Sequence, residues 1–137
     1  LALRTSMRNQ FPCVVGTIRP MGGQVRVQLR LADGSAVYSR ITRESMQLLG
    51  LRPGLAVLAL CKATAVQVVS SAGDVEGKNT LVGVVTRATR SAKGGEVSLR
   101  LPGGVQLVGF STGPSPKVGQ STTAQIDEAG MVIAALD

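Results

Sequence analysis

The chain contains no histidine and no tryptophan, and aromatic residues make up only 2% of it. Without histidine the usual general base and the commonest metal ligand are missing. Cys13 and Cys61 are the only cysteines, which gives neither a disulfide framework nor a metal-ligand spacing. Each lies inside an apolar run and reads as a small buried hydrophobe of a reducing cytoplasm. No nucleophile–base pair and no paired acid stands out, so an enzyme is not expected. Phe11, Phe110 and Tyr38 are all the aromatics there are, which argues against a single-stranded nucleic-acid binder, where bases stack on aromatic faces. No apolar run approaches the roughly 20 residues of a membrane helix. The opening Leu1-Ala2-Leu3-Arg4-Thr5 is too short and too soon charged for a signal peptide. A cytoplasmic location with no membrane partner is therefore expected.

What is abundant is glycine and positive charge. Seventeen glycines imply many tight turns between short elements. The net charge of +7 favours anionic partners of some kind. At 137 residues, 44% hydrophobic and 17% charged, the chain suits one domain, or two very small ones sharing a core. It begins at Leu rather than Met, as a piece of a longer protein or a trimmed one does.

Taken in order, residues 14–19 read as a strand and Pro20-Met21-Gly22-Gly23 as a turn. Residues 24–31 alternate polar and apolar at every step, the pattern of a half-buried antiparallel strand. Asp33-Gly34 is a hairpin signal, and 36–41 is the return strand. Thr42 then caps a short helix with Glu44 in its first turn, and Gly50 stops it. Residues 56–61 form a buried strand, Lys62-Ala63-Thr64 interrupts it, and 65–69 ends the unit.

The pattern then recurs. Leu99-Arg100-Leu101-Pro102-Gly103-Gly104 matches Leu29-Arg30-Leu31-Ala32-Asp33-Gly34 at an offset of 70, and Asn79 matches Asn9 at the same offset. Met131-Val132-Ile133 matches Val66-Gln67-Val68 at an offset of 65. The shortened part is the helix, replaced by Ser111-Thr112-Gly113-Pro114-Ser115-Pro116, which cannot hold one. Strands this short leave edges that must be closed or covered. The expected fold is all-β: two tandem small Greek-key barrels of the oligonucleotide/oligosaccharide-binding (OB) type, with one short helix in the first. The first barrel is assigned to residues 1–70, a linker to 71–77 and a second, degenerate barrel to 78–137. Units this small are marginal alone, so the copies are expected to pack together or exchange strands.

Thr5-Ser6-Met7-Arg8-Asn9-Gln10 resembles the Ser-Ala-Arg-Asn opening of the molybdate-binding Mop (molbindin) family. Ile41-Thr42-Arg43-Glu44-Ser45 and Leu60-Cys61-Lys62-Ala63-Thr64 resemble that family's middle and closing motifs. The resemblance spans residues 5–69 and is weaker, but in register, from 78 to 136. One sound copy followed by a degraded one resembles the C-terminal di-Mop region of ModE-type molybdate-responsive transcription regulators. It implies a molybdate or tungstate ligand bound between chains of a homo-oligomer, most simply a dimer. DNA would be met only through a winged helix-turn-helix domain that lies outside this chain, with Leu1-Ala2-Leu3-Arg4 as the tail of a linker. A molybdate store is the alternative, and a nucleic-acid-binding OB barrel a more distant one.

The first copy has the chemistry for such a ligand. A tetrahedral dianion offers only acceptors, so its site needs donors and positive charge. Lys62 and Arg8 supply cations, Ser6, Thr42 and Ser45 hydroxyls, and Met7 and Ala63 backbone N–H groups. The N-terminus of the helix after Thr42 adds further N–H groups. Thr42 is in any case a helix cap, and Arg8 reads equally as a surface cation. In the family, the Ser-x-Arg-Asn segment and the Thr/Ser/Lys group come from different chains. The second copy carries Asp127 at the lysine position and Glu76 at the position of Ser6, and is expected to be mainly structural.

Overall fold

The computed structural model describes residues 4–89 and 94–136. The first three residues of the expected linker tail lie outside that range. Its elements run β1 (Asn9–Met21), β2 (Gln24–Arg30), β3 (Ala36–Thr42), α1 (Arg43–Leu49), β4 (Ala56–Cys61), β5 (Val66–Val69), β6 (Lys78–Ala88), β7 (Gly95–Arg100), β8 (Gln106–Ser111), β9 (Ser121–Asp127) and β10 (Val132–Ala135). Short 3-10 turns at Ala63–Ala65 and Glu128–Gly130 precede β5 and β10. The mostly-β architecture with one helix agrees with the sequence reading.

The turn chemistry acts as expected. Gly22 takes φ 65° in the β1–β2 hairpin, a conformation that suits glycine. Asp33 Oδ1 accepts from the backbone N–H of Ser35 at 3.0 Å and so fixes the β2–β3 turn. One strand departs from expectation: β1 begins at Asn9 rather than Val14. Asn9, Phe11, Cys13 and Val15 are buried while Pro12 and Val14 face out, so the period of two already runs through the opening stretch. Pro12 is tolerated because β1 is paired there only with β4, β2 joining at Val14.

The sheets draw strands from both repeats. The first is ordered β10-β4-β1-β2-β3, and the second is a closed barrel, β5-β8-β7-β6-β9. Strand β5, from the first repeat, lies parallel to β8 (Gln67 opposite Phe110) and antiparallel to β9 (Val66 opposite Ile126). Strand β10, from the second, pairs with β4 through Val132–Leu60 and Ala135–Val57. The two halves thus exchange their last strands. The 1–70 and 78–137 segments are repeats in sequence, while each sheet is built from both. One continuous core joins them, running from Phe11, Val27 and Val57 to Leu99, Leu107 and Ile126. The exchange covers edges that a unit of this size would otherwise leave open.

Candidate functional site

The register of β1 against β4 decides which motif residues meet. Asn9 lies opposite Cys61, so the segment Ser6-Met7-Arg8 arrives beside Lys62-Ala63. Cys61 and Ala63 point inward and are buried, and Lys62 between them is exposed. This corrects the reading of Lys62 as a charge interrupting a buried strand. Strand β4 ends at Cys61, and Lys62 opens the 3-10 turn, so its side chain reaches solvent without needing a buried partner. Lys62 makes no ion pair among the described residues.

Ala63 is 5% exposed, yet its backbone N–H has no hydrogen-bond partner among the described residues. Its counterpart in the second half, Glu128, donates its N–H to Gly77 O at 2.9 Å. In the first half the carbonyl equivalent to Gly77 O is that of Met7, and it accepts instead from Gln10 Nε2 at 3.2 Å. A nearly buried N–H left unpaired is costly and uncommon, and this one sits next to an unpaired cation. Met7 N–H, the other expected backbone donor, is engaged by Thr5 Oγ1 at 3.2 Å, and Ser6 is exposed.

Arg8 is not free. Its Nη1 and Nη2 bind Glu96 Oε1 and Oε2 at 2.7 and 3.1 Å. The hydrogen bonds and charge of Glu96 raise the Arg8 pKa, and those of Arg8 lower that of Glu96, with Arg87 adding a smaller downward pull.

Thr42 and Ser45 form a second group. Thr42 Oγ1 accepts from the N–H of Ser45 at 3.0 Å and donates to Ser45 Oγ at 2.9 Å, closing the first turn of α1. Gly50 ends the helix in the left-handed conformation at φ 62°. This group stands apart from Lys62. Ser39 Oγ donates to Met131 O, and Met131 precedes Val132, which lies opposite Leu60 near the Lys62 end of β4. Strand β3 runs parallel to β10, so Thr42, three residues beyond Ser39, is displaced toward the Val57 end by about 10 Å. Within one chain the fold therefore joins Ser6, Met7, Arg8, Lys62 and Ala63, and leaves Thr42 and Ser45 on a separate surface.

The corresponding place in the second half is filled by charges drawn from both halves. Glu128, at the position of Ala63, is 2% exposed. Arg26 holds it through Nε (3.1 and 3.2 Å) and Nη2 (2.9 Å), and Arg40 through Nε (3.1 Å). Burial pushes the Glu128 carboxyl up, but the hydrogen bonds and charges of Arg26, then Arg40, outweigh it and hold the group below its ordinary value. The Arg26 guanidinium also lies 3.8 Å over the Tyr38 ring. These residues border an open cavity of about 470 Å3 with Arg19 and Lys78 on its wall. Lys78, the counterpart of Arg8, lies 3.9 Å from Asp127, the counterpart of Lys62.

Glu96, Glu128, Arg26 and Arg40 were not singled out from the sequence. A signal for them exists in the repeat itself: at an offset of 70 Glu96 falls on Arg26, and at 65 Glu128 falls on Ala63. Only the first is a reversal of charge, and each carboxylate pairs with the other half: Glu96 with Arg8, and Glu128 with Arg26 and Arg40. Among the described residues no cluster of His, Cys, Asp and Glu could hold a metal ion, and no helix is long and apolar enough to cross a membrane.

Comparison with known proteins gives concordant matches. Residues 5–68 match the TOBE domain. The chain is 32% identical over 142 residues to the molybdenum-pterin-binding protein MopB of Rhodobacter capsulatus, and 34% identical over 103 residues to MopA of the same organism. It is 30% identical over 141 residues to the molybdenum transport protein ModE of Herbaspirillum seropedicae. These alignments take in 98%, 74% and 98% of the chain and 52%, 39% and 52% of the relatives, so the chain spans about half the length of the curated relatives it matches. In fold it is similar to a crystal structure of the cytoplasmic molybdate-binding protein ModG with molybdate bound, at a TM-score of 0.86 and 24% identity, covering 98% of this chain and 100% of that one. The sequence likeness thus takes in the TOBE-domain match over residues 5–68 and, with MopB and ModE, runs across both halves of the chain.

Proposed function

We propose that the chain binds a tetrahedral oxyanion, molybdate or tungstate, at the end of β1 and β4, through Ser6, Met7, Arg8, Lys62 and Ala63. Thr42 and Ser45 of a neighbouring copy complete the site, so the working unit is a homo-oligomer, most simply a dimer. The observation that carries this reading is the unpaired Ala63 N–H beside the unpaired Lys62. A neutral donor and a cation converge there with no acceptor of their own, as a dianion requires. The names of the relatives, which speak of molybdenum or molybdate, support the choice of anion. The separation of the Thr42 group from Lys62 supports completion by a second copy.

The role we assign is the ligand-sensing and dimerisation region of a ModE-type cytoplasmic regulator. Anion binding between copies stabilises one arrangement and so shifts the placement of a DNA-binding domain beyond this chain. The degenerate second half favours this over storage, because its place for an anion is filled by Glu128 and a store gains from many sites. Calorimetric titration of molybdate, tungstate and sulfate into wild type and Lys62→Ala tests the site. Losing one charge-assisted contact weakens molybdate binding by about 10- to 100-fold. Equal affinities in the two proteins sink the assignment. Counting anions per chain separates a sensor from a store.

A further inference from the structure

We infer that Glu96, lent by the second half, is an internal counter-ion with which the oxyanion must compete for Arg8, and so sets the affinity of the first site. The inference rests on the oxyanion reading above.

The Arg8–Glu96 pair is a fork meeting a fork, with contacts of 2.7 and 3.1 Å. Two parallel N–H donors of a guanidinium are what a carboxylate or a tetrahedral oxyanion takes, so the two ligands cannot both hold that edge of Arg8. The position of Glu96 is fixed by the fold. It lies on β7 opposite Phe110 of β8. Strand β8 is in turn tied to the start of β1, because the Asn9 side chain bonds both backbone groups of Val108 at 2.8 and 2.7 Å. The fold itself therefore holds the carboxylate within reach of Arg8.

The pair is also built to open. Arg8 and Glu96 keep 50% and 38% of their side-chain exposure, and an exposed pair adds little beyond what water supplies. Glu128 is its opposite, 2% exposed and held by two arginines. One half thus carries a displaceable internal anion and the other a fixed one. When Glu96 lets go, Arg87 remains near enough to favour its charge. Opening the pair costs the same for any anion that takes Arg8, and the displaced carboxylate repels a dianion more than a singly charged oxyanion. Glu96 therefore weakens a dianion at least as much as a singly charged anion.

The test is titration of molybdate and of perrhenate, a singly charged tetrahedral anion, into wild type, Glu96→Gln and Lys62→Ala. Thermal midpoint and anion stoichiometry are measured in parallel. Glu96→Gln binds molybdate about two- to fivefold tighter, the range an exposed ion pair spans, and perrhenate gains no more than molybdate does. Glu96→Asp, which keeps the charge but shortens its reach, falls between the two proteins. Unchanged or weaker molybdate binding in Glu96→Gln, with Lys62→Ala still impaired, overturns the role of Glu96 alone; weaker binding would mark it as a residue that positions Arg8. Absence of molybdate binding in wild type overturns the oxyanion reading and this inference with it.

Discussion

Asn79 reaches out of its own repeat and holds both backbone groups of Tyr38. Tyr38 N–H donates to Asn79 Oδ1 at 2.7 Å, and Asn79 Nδ2 donates to Tyr38 O at 2.9 Å. Asn9 does the same to Val108, at 2.7 and 2.8 Å. The asparagines are 70 residues apart, and so are their partners. The two halves are therefore stitched by a reciprocal pair of amide clasps, each at the start of one strand and against the third strand of the other half. Removing either side chain strands a backbone donor and acceptor in a site where the asparagine is 5% exposed or less. Asn79→Ala and Asn9→Ala each cost about 2–4 kcal/mol. A urea midpoint within a few tenths of wild type for both would show that the clasps contribute nothing.

Glu128 ties stability to pH. Its folded pKa lies below the ordinary 4.5, so the stabilisation it gives is fully present above that value and is lost as pH falls through the folded one. The wild type loses stability below about pH 4.5. Glu128→Gln starts lower at neutral pH by about 3 kcal/mol, the low end for breaking a buried pair, since Arg26 and Arg40 keep about a quarter of their exposure. The gap between the two proteins narrows on acidification. Thermal unfolding across pH 3–7 checks this, and parallel curves would exclude Glu128 as the titrating group.

Much of this fold was legible because local chemistry specified it. Asp33, Thr42 and Gly50 each act through a hydrogen bond or dihedral within a few residues, and each stands where its sequence signal put it. The repeat was legible too. Its meaning for the asparagines was only half so: Asn9 and Asn79 announced a role in the fold, but their partners are the backbones of Val108 and Tyr38, which leave no mark on side-chain identity. Which barrel takes β5 was equally hidden, because Val66–Val69 presents the same alternation to either one. For Lys62, the apolar neighbours Cys61 and Ala63 suggested a buried strand, yet the strand stops one residue earlier and the lysine turns out. Glu96 escaped notice because its partner is 88 residues away.

The cysteines should be inert until the chain unfolds. Burial pushes both the Cys13 and Cys61 thiols up to about 11, so at pH 8 the reactive thiolate is about a thousandth of each. They stay reduced, and an aromatic disulfide reagent reports close to zero fast-reacting thiols in the native protein and two after denaturation. A fast-reacting thiol in the folded protein would mean that β1 or β4 opens locally.

Gly109 is the position on which the strand exchange can be tested most directly. A Cβ there would stand 2.6 Å from Val66 Cγ1 and 2.8 Å from Val66 O, so β5 would have to move off β8. The equivalent residue of the first half is Ser39, whose Oγ donates to Met131 O, the carbonyl equivalent to Val66 O. One half fills the junction with a hydroxyl and the other lets the incoming strand lie directly on the sheet. Gly109→Ala adds the bulk without the hydrogen bond and costs about 1–3 kcal/mol. The loss is local: amide exchange at Gln67 and Val68 speeds up, while that of Val27 and Leu29 in the other sheet stays near wild type. Ser39→Gly loosens the opposite junction, at Ile133 and Ala134. If Gly109→Ala left exchange along β5 unchanged, the parallel contact between β5 and β8 would not be what seats the exchanged strand.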